Sequence, residues 1–213
     1  MDYPHKLLDD VETLASFEGW SQDVYADFFR LNRGEMTDAD FRNKYCHERA
    51  ILAMDMTGFT LSALQVGEIT SLTRIFDAQR AAIPVLQDHG AELIRCFADD
   101  IVALFADPGA AIDAALEIHR RIRQFNASSV ASNHPTVLCA GIGYGEVFAI
   151  GPNLAQGDEM NRASKLGEDV ARGYETLVTE RAYAAVAERE DLVFERQDLD
   201  DSLFPFYRIL VAE

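Results

Sequence analysis

The rhythm of apolar and polar positions changes near residue 48. Before it, "SQDVYADFFRLNRG" carries a Tyr/Phe/Leu stripe behind Ser21 and stops at a glycine. "TDADFRNKYCHERA" opens on Thr37 with an acid three residues later. Both patterns predict helices, the first with a serine cap and the second with a near capping box. From residue 48 the period shortens. Residues 49–56 are mostly apolar and predict a buried strand. Residues 62–88 predict a long amphipathic helix, kinked or ended near Pro84. "AELIRCF" and "IVALF" read as two strands joined through Ala98-Asp99-Asp100, a tight-turn composition. "GAAIDAALEIHRRIRQF" predicts a helix with His119 on its polar face, and "TVLCAGIGYG" with "EVFAIG" predicts a second hairpin. A helix around 158–168, the strand "ETLVT", a short Ala-rich helix and two strands at about 192–197 and 204–211 complete the chain. The order predicts an α+β fold, an antiparallel sheet with helices on one face. It also predicts a helical extension over residues 1–47 and a main domain over 48–213.

Composition narrows the function classes. The chain has 213 residues, 48% hydrophobic, enough for one domain with an appendage. Its net charge of −17 argues against a nucleic-acid or anionic-membrane binder, both of which need a basic face. A small anionic substrate held through a metal is still compatible with it. Cys46, Cys96 and Cys139 are scattered and odd in number, which fits reduced thiols rather than a disulfide framework or a metal site. "MDYPHKLLDD" is acidic and lacks an apolar stretch, so no secretory signal is expected there. No apolar run nears the ~20 residues that span a bilayer. A cytoplasmic location follows as the expectation, with His5 and His47 at the surface.

"ILAMDMTGFT" raises the chemical question. Asp55 ends an apolar strand, where an uncompensated carboxylate is unfavourable. If that strand pairs antiparallel with the one starting near Ile101, Asp55 faces Asp99 or Asp100 at a Cβ separation of about 5 Å. Carboxylates that close repel unless a cation bridges them, and hard divalent ions take one or two carboxylates together with phosphate oxygens. Gly58 lets backbone N–H groups approach a polyphosphate. The residues alone leave two readings open: a metal–nucleotide site, or a capping acid beside an ordinary turn.

Four stretches, in order, carry a resemblance. "ILAMDMTGFT" resembles the first metal motif of class III nucleotide cyclases. "RCFADDIVALF" is similar to their second metal hairpin, with Ala98 where glycine is usual. "AGIGYGEVFAIG" resembles the hairpin that follows, and "GDEMNRASKLGE" the helix bearing the transition-state asparagine. The resemblance covers roughly residues 48–211 and implies the ferredoxin-like cyclase domain. It implies that Asp55 and Asp99, assisted by the Met56 carbonyl, bind two Mg²⁺ or Mn²⁺ ions. It assigns the phosphates to the backbone of Thr57, Gly58, Phe59 and Thr60, ribose orientation to Asn161, and charge neutralisation at the α-phosphate to Lys165, which replaces an arginine. The implied assembly is a homodimer whose site takes the two aspartates from one chain and Asn161 with Lys165 from the other. The implied reaction is attack of the ribose 3′-oxygen on the α-phosphorus, releasing pyrophosphate.

The base-reading positions depart from the family's purine code. Arg95 stands at the lysine position and Leu154 at the aspartate position. Arginine only donates and leucine offers nothing polar. A pocket with donors and few acceptors suits the two carbonyls of uracil, so UTP is the expected substrate and cyclic UMP the product. That departure, and a short loop before Gly157, resemble the pyrimidine cyclases of Pycsar-type antiphage systems. ATP, with Asn153 or Gln156 as acceptor, is the alternative. Lys165 for arginine loses a bidentate fork. With no lysine near the C-terminus and only Arg208 there, that loss also admits a catalytically weak nucleotide-sensing dimer. Whether Asp100 assists Asp99 is left open by the sequence.

Overall fold

The computed structural model describes residues 7–17, 19–128, 134–151, 155–197 and 204–210, with the side chains of residues 60–63 outside that description. The chain divides into two compact units. One is Met1–His47 together with Val147–Gly157; the other is Glu48–Glu146 together with Asp158–Glu213. His5 and Leu154 fall outside the described residues.

The first unit is built from α1 (Val11–Ala15), α2 (Gln22–Asn32) and α3 (Asp38–Tyr45). The Ser21 side chain caps α2 and Thr37 forms a full capping box with Asp40, as the sequence predicts. Gly34, at φ +70°, ends α2 in the left-handed region. Asp27 is buried and holds the pair together, accepting from Lys44 Nζ at 2.6 Å, Tyr45 Oη at 2.8 Å and Arg30 Nη1 at 2.9 Å.

In chain order the following elements are β1 (Cys46–Met56), α4 (Phe59–Val66), α5 (Glu68–Asp88), β2 (Leu93–Phe97), β3 (Asp100–Phe105), α6 (Pro108–Asn126), β4 (Leu138–Ala149), β5 (Ala155–Gln156), α7 (Asp158–Ser164), a π-helical turn (Lys165–Val170), β6 (Thr176–Thr179), α8 (Glu180–Val186), β7 (Val193–Gln197) and β8 (Phe206–Leu210). The sheet runs β2-β3-β1-β4-β6-β8-β7, with β5 paired to β4. Its first four positions are the split βαβ order of a ferredoxin-like fold. Leu52, Met54 and Met56 alternate onto one sheet face, where α5, α6 and α8 cover them with Leu86, Ile118, Ile122 and Val186.

The structure differs from the pattern reading in five places. The predicted long helix is two, broken at Gly67 (φ +87°), while Pro84 stays inside α5. "TVLCAGIGYGEVFA" contains one long strand rather than a hairpin. The sheet is mixed: β4 and β6 are parallel, because the connection between them is a helical crossover and not a tight turn. Helices cover both faces, since α7 and the π-turn lie on the side opposite α5. Finally, His119 is 1% exposed and bonded through Nε2 to Thr176 Oγ1 at 3.1 Å; burial holds its pKa down at about 4, so it is a neutral core residue. Glycine makes the second helical layer possible. A Cβ at Gly141 would lie 2.1 Å from the Ala163 carbonyl oxygen, and one at Gly167 would lie 2.5 Å from that of Ala53.

Candidate active site

β1 and β3 pair antiparallel with Met54 opposite Ile101, so the next step along the ladder brings Asp55 level with Asp100. β2 pairs Phe97 with Asp100, leaving Ala98 and Asp99 as a two-residue hairpin loop. Ala98 takes φ +51°, the conformation for which such loops favour glycine. The consequence is a convergence of acids. Carboxylate oxygens of Asp55, Asp99 and Asp100 all lie within 4.8 Å of one another, each side chain half-buried. Burial, then repulsion from Asp99 and Asp100, pushes the Asp55 carboxyl up to about 7. Burial and Asp99 likewise raise Asp100, against the pull of Arg95.

A fourth acid lies outside that group but is coupled to it electrostatically. Glu168, on the π-turn, is raised by burial and by Asp100, and the Ser164 hydroxyl opposes the shift. The sequence reading missed Glu168. Its signal was the four-residue spacing Met160–Ser164–Glu168, which lines one cavity of about 190 Å³ with Arg95, Phe97, Asp100 and Val102. This cavity has acceptors: the Asp100 and Glu168 carboxylates and the Ser164 hydroxyl. Arg95 therefore shares its cavity with acceptor side chains. Arg95 itself lies over the Phe97 ring, 5.5 Å from its centroid.

The segment after Asp55 is tied down. The Thr57 N–H donates to the Val137 carbonyl at 3.0 Å and its hydroxyl reaches the Gly173 carbonyl at 3.5 Å. The Cys139 thiol contacts the carbonyl oxygens of Asp55, at 3.4 Å, and Gly167, at 3.1 Å, linking β1, β4 and the π-turn. The Met56 side chain is buried, Gly58 has φ +68°, and Phe59 starts α4. The Thr60 side chain lies outside the described residues. Asn161 and Lys165 are exposed, Asn161 on α7 and Lys165 at the start of the π-turn, where it pairs with Asp169.

The donor set fits hard divalent cations. Oxygen ligands and clustered negative charge suit Mg²⁺ or Mn²⁺, whereas the described residues place no His or Cys ligand in the cluster.

The fold that holds these acids is that of class III nucleotide cyclase catalytic domains. Among solved structures the chain is similar to the catalytic core of a rhodopsin-guanylyl cyclase with converted specificity in complex with ATPαS, at 15% identity and a TM-score of 0.66, covering 78% of this chain and 98% of that one. It is similar to the adenylyl cyclase CyaB from P. aeruginosa at 14% identity and a TM-score of 0.65, with coverage of 79% and 96%. It is also similar to an adenylate/guanylate cyclase/hydrolase from Silicibacter pomeroyi, at 22% identity and a TM-score of 0.64, with coverage of 79% and 98%. No family model and no curated protein matches the sequence.

Proposed function

We propose that the chain is a nucleotide cyclase, converting a nucleoside triphosphate to a 3′,5′-cyclic nucleotide and pyrophosphate, with its catalytic body in residues 48–213. The observation that carries this is the convergence of Asp55, Asp99 and Asp100 within 4.8 Å on this fold. Asp55 and Asp99 would hold two Mg²⁺ or Mn²⁺ ions, with the Met56 carbonyl and Asp100 beside them. Such ions, when bound, offset charge on the attacking 3′-oxygen and on the triphosphate. The chain supplies the rest. With the Thr57 N–H already bonded, the backbone of residues 58–60 is assigned to the phosphates. Asn161 orients the ribose, and Lys165 places positive charge near the α-phosphate, where charge shifts in the transition state.

For the base, Arg95 supports UTP, because its N–H groups match the uracil carbonyls. The product would then be cyclic UMP, a second messenger, and the Pycsar-type resemblance extends that to antiviral defence. ATP is the second reading. It is favoured by Ser164 and Glu168 in the Arg95 cavity, which supply acceptors for an exocyclic amino group. Incubation of the purified protein and Mn²⁺ with each of the four nucleoside triphosphates tests both. Cyclic UMP and pyrophosphate from UTP are expected. Product from ATP alone would move the base assignment to the Glu168 side, and no product from any triphosphate would remove the enzymatic proposal.

A further inference from the structure

The first unit holds a cavity of its own. Its volume is about 410 Å³, inside the range of small-molecule sites, and every described residue that lines it belongs to that unit. The floor is a run of aromatic rings. Trp20 stacks on Phe28 with centroids 4.8 Å apart and ring planes at 28°. Phe28 lies 4.8 Å from Phe41, and Phe41 lies 6.2 Å from Phe148. Phe41 is buried and the other three rings are half-buried. Leu31 and Ile150 complete the apolar lining.

The rim is polar and exposed. Asp38 and Arg42 stand one turn apart on α3, so they project on the same side, and Gln156 lines the cavity from β5. The Arg42 guanidinium sits 5.2 Å from the Phe148 centroid, which brings its N–H groups to the edge of the aromatic floor. The rim therefore offers a carboxylate that only accepts, a guanidinium that only donates and an amide that does both. Among the described residues Arg42 is the only cation in the lining, and Asp38 stands beside it.

These features select a ligand class. Aromatic faces favour a flat ring over a flexible aliphatic chain. The rim asks for a donor to meet Asp38 and a carbonyl or carboxylate to meet Arg42. A polyphosphate would meet a carboxylate next to its single cation, and an acyl chain would leave all three rim groups unused.

We propose that the first unit is a binding site for a planar heteroaromatic small molecule carrying both an N–H donor and a carbonyl or carboxylate. Its ring lies against Trp20, Phe28 and Phe148, and its edge is recognised by Asp38, Arg42 and Gln156. The site is independent of the acids and of the cyclase reaction, and it gives residues 1–47 a role as a ligand-binding module.

Trp20 is the chain's single tryptophan, so its emission reports on this cavity. The full chain, free of metal, is titrated with hypoxanthine, uracil and imidazole-4-carboxylate, and with octanoate as an aliphatic comparator. At least one of the three planar probes should change Trp20 emission saturably, with a Kd below about 1 mM. Asp38→Asn and Arg42→Gln, both at exposed positions that leave the apolar floor intact, should each weaken that probe about tenfold or more. Asp55→Asn, in the other unit, should leave its binding unchanged. No saturable response to any planar probe overturns the site. Tighter binding of octanoate than of every planar probe overturns the ligand class, and so does unchanged affinity in both rim variants. Loss of binding in Asp55→Asn would place the probe among the acids and overturn the proposal as well.

Discussion

At the scale of single residues, the acids oppose the stability of the fold that carries them. Asp55 sits half-buried among Asp99, Asp100 and Glu168, and its carboxyl is raised to about 7. Replacing it with a neutral isostere relieves that repulsion. Asp55→Asn should therefore raise the metal-free melting midpoint while abolishing turnover. A gain of about 1 kcal/mol corresponds to roughly 2–4 °C in a chain of this size. Calorimetry without metal checks it, and a lowered midpoint would show that the acids do not repel. The pH dependence has a definite sign. Because the folded-state pKa is raised from 3.8 to about 7, the folded chain keeps a proton that the unfolded chain has already lost in that window. The contribution of this group to metal-free stability is therefore complete below the lower value and lost as pH rises through the upper one. A bound cation must displace the same proton. The apparent Mn²⁺ affinity should fall about tenfold per pH unit below the folded-state pKa, for one proton released per binding event. Isothermal titration between pH 5 and pH 8, roughly the span over which such a group titrates, checks this; a flat profile would mean that Asp55 is not a ligand.

At the scale of elements, the close seat of α7 and the π-turn on β4 depends on bare backbone. Gly141→Ala would place a methyl group 2.1 Å from the Ala163 carbonyl oxygen and 2.4 Å from the Gly167 nitrogen, and neither is the end of a flexible side chain. Overpacking of this kind costs about 1–3 kcal/mol or more. Urea unfolding should show that loss, whereas unchanged stability would mean that the π-turn moves aside freely. The same glycines explain what the sequence hid. The alternating Gly141, Gly143 and Gly145 resemble turn punctuation and so predict a hairpin; in three dimensions they clear a path for a helix. Asp55 and the Ala98–Asp99 turn were legible because strand, turn and strand are local patterns of period two. Glu168 was not, since its four-residue spacing from Met160 and Ser164 marks a shared helix face but not the π-helical turn that brings it towards the acids. His119 was misplaced for a related reason: polar residues on a helix face normally meet water, and this one meets Thr176 under Tyr174. The parallel β4–β6 pair is non-local and follows from the crossover through α7, not from either strand's own composition.

At the scale of the whole molecule, the proposed chemistry asks for a second copy of the chain. The acids converge at the β1–β3 end, with the exposed Phe97 ring beside them, while Asn161 and Lys165 face solvent. On α5, Ile69, Leu72 and Phe76 repeat at i, i+3 and i+7 and are 77%, 60% and 55% exposed, an apolar stripe that water does not favour. A homodimer, as proposed for the site, would give the stripe a partner. If each site takes its aspartates from one chain and its asparagine from the other, a mixed dimer of Asp55→Ala and Asn161→Ala contains one doubly damaged site and one intact site. Each variant alone should be inactive. Equal mixing and exchange gives half mixed dimers, so about a quarter of wild-type activity should return, by the symmetry of a two-fold interface. Mixing Asp55→Ala with Asp99→Ala should restore nothing, because every site that escapes one lesion meets the other. No recovery in the first mixture, once mixed dimers are demonstrated by mass, would mean that a single chain performs the reaction and that the α5 stripe serves some other contact, whereas recovery in the second would mean that Asp55 and Asp99 of one site come from different chains.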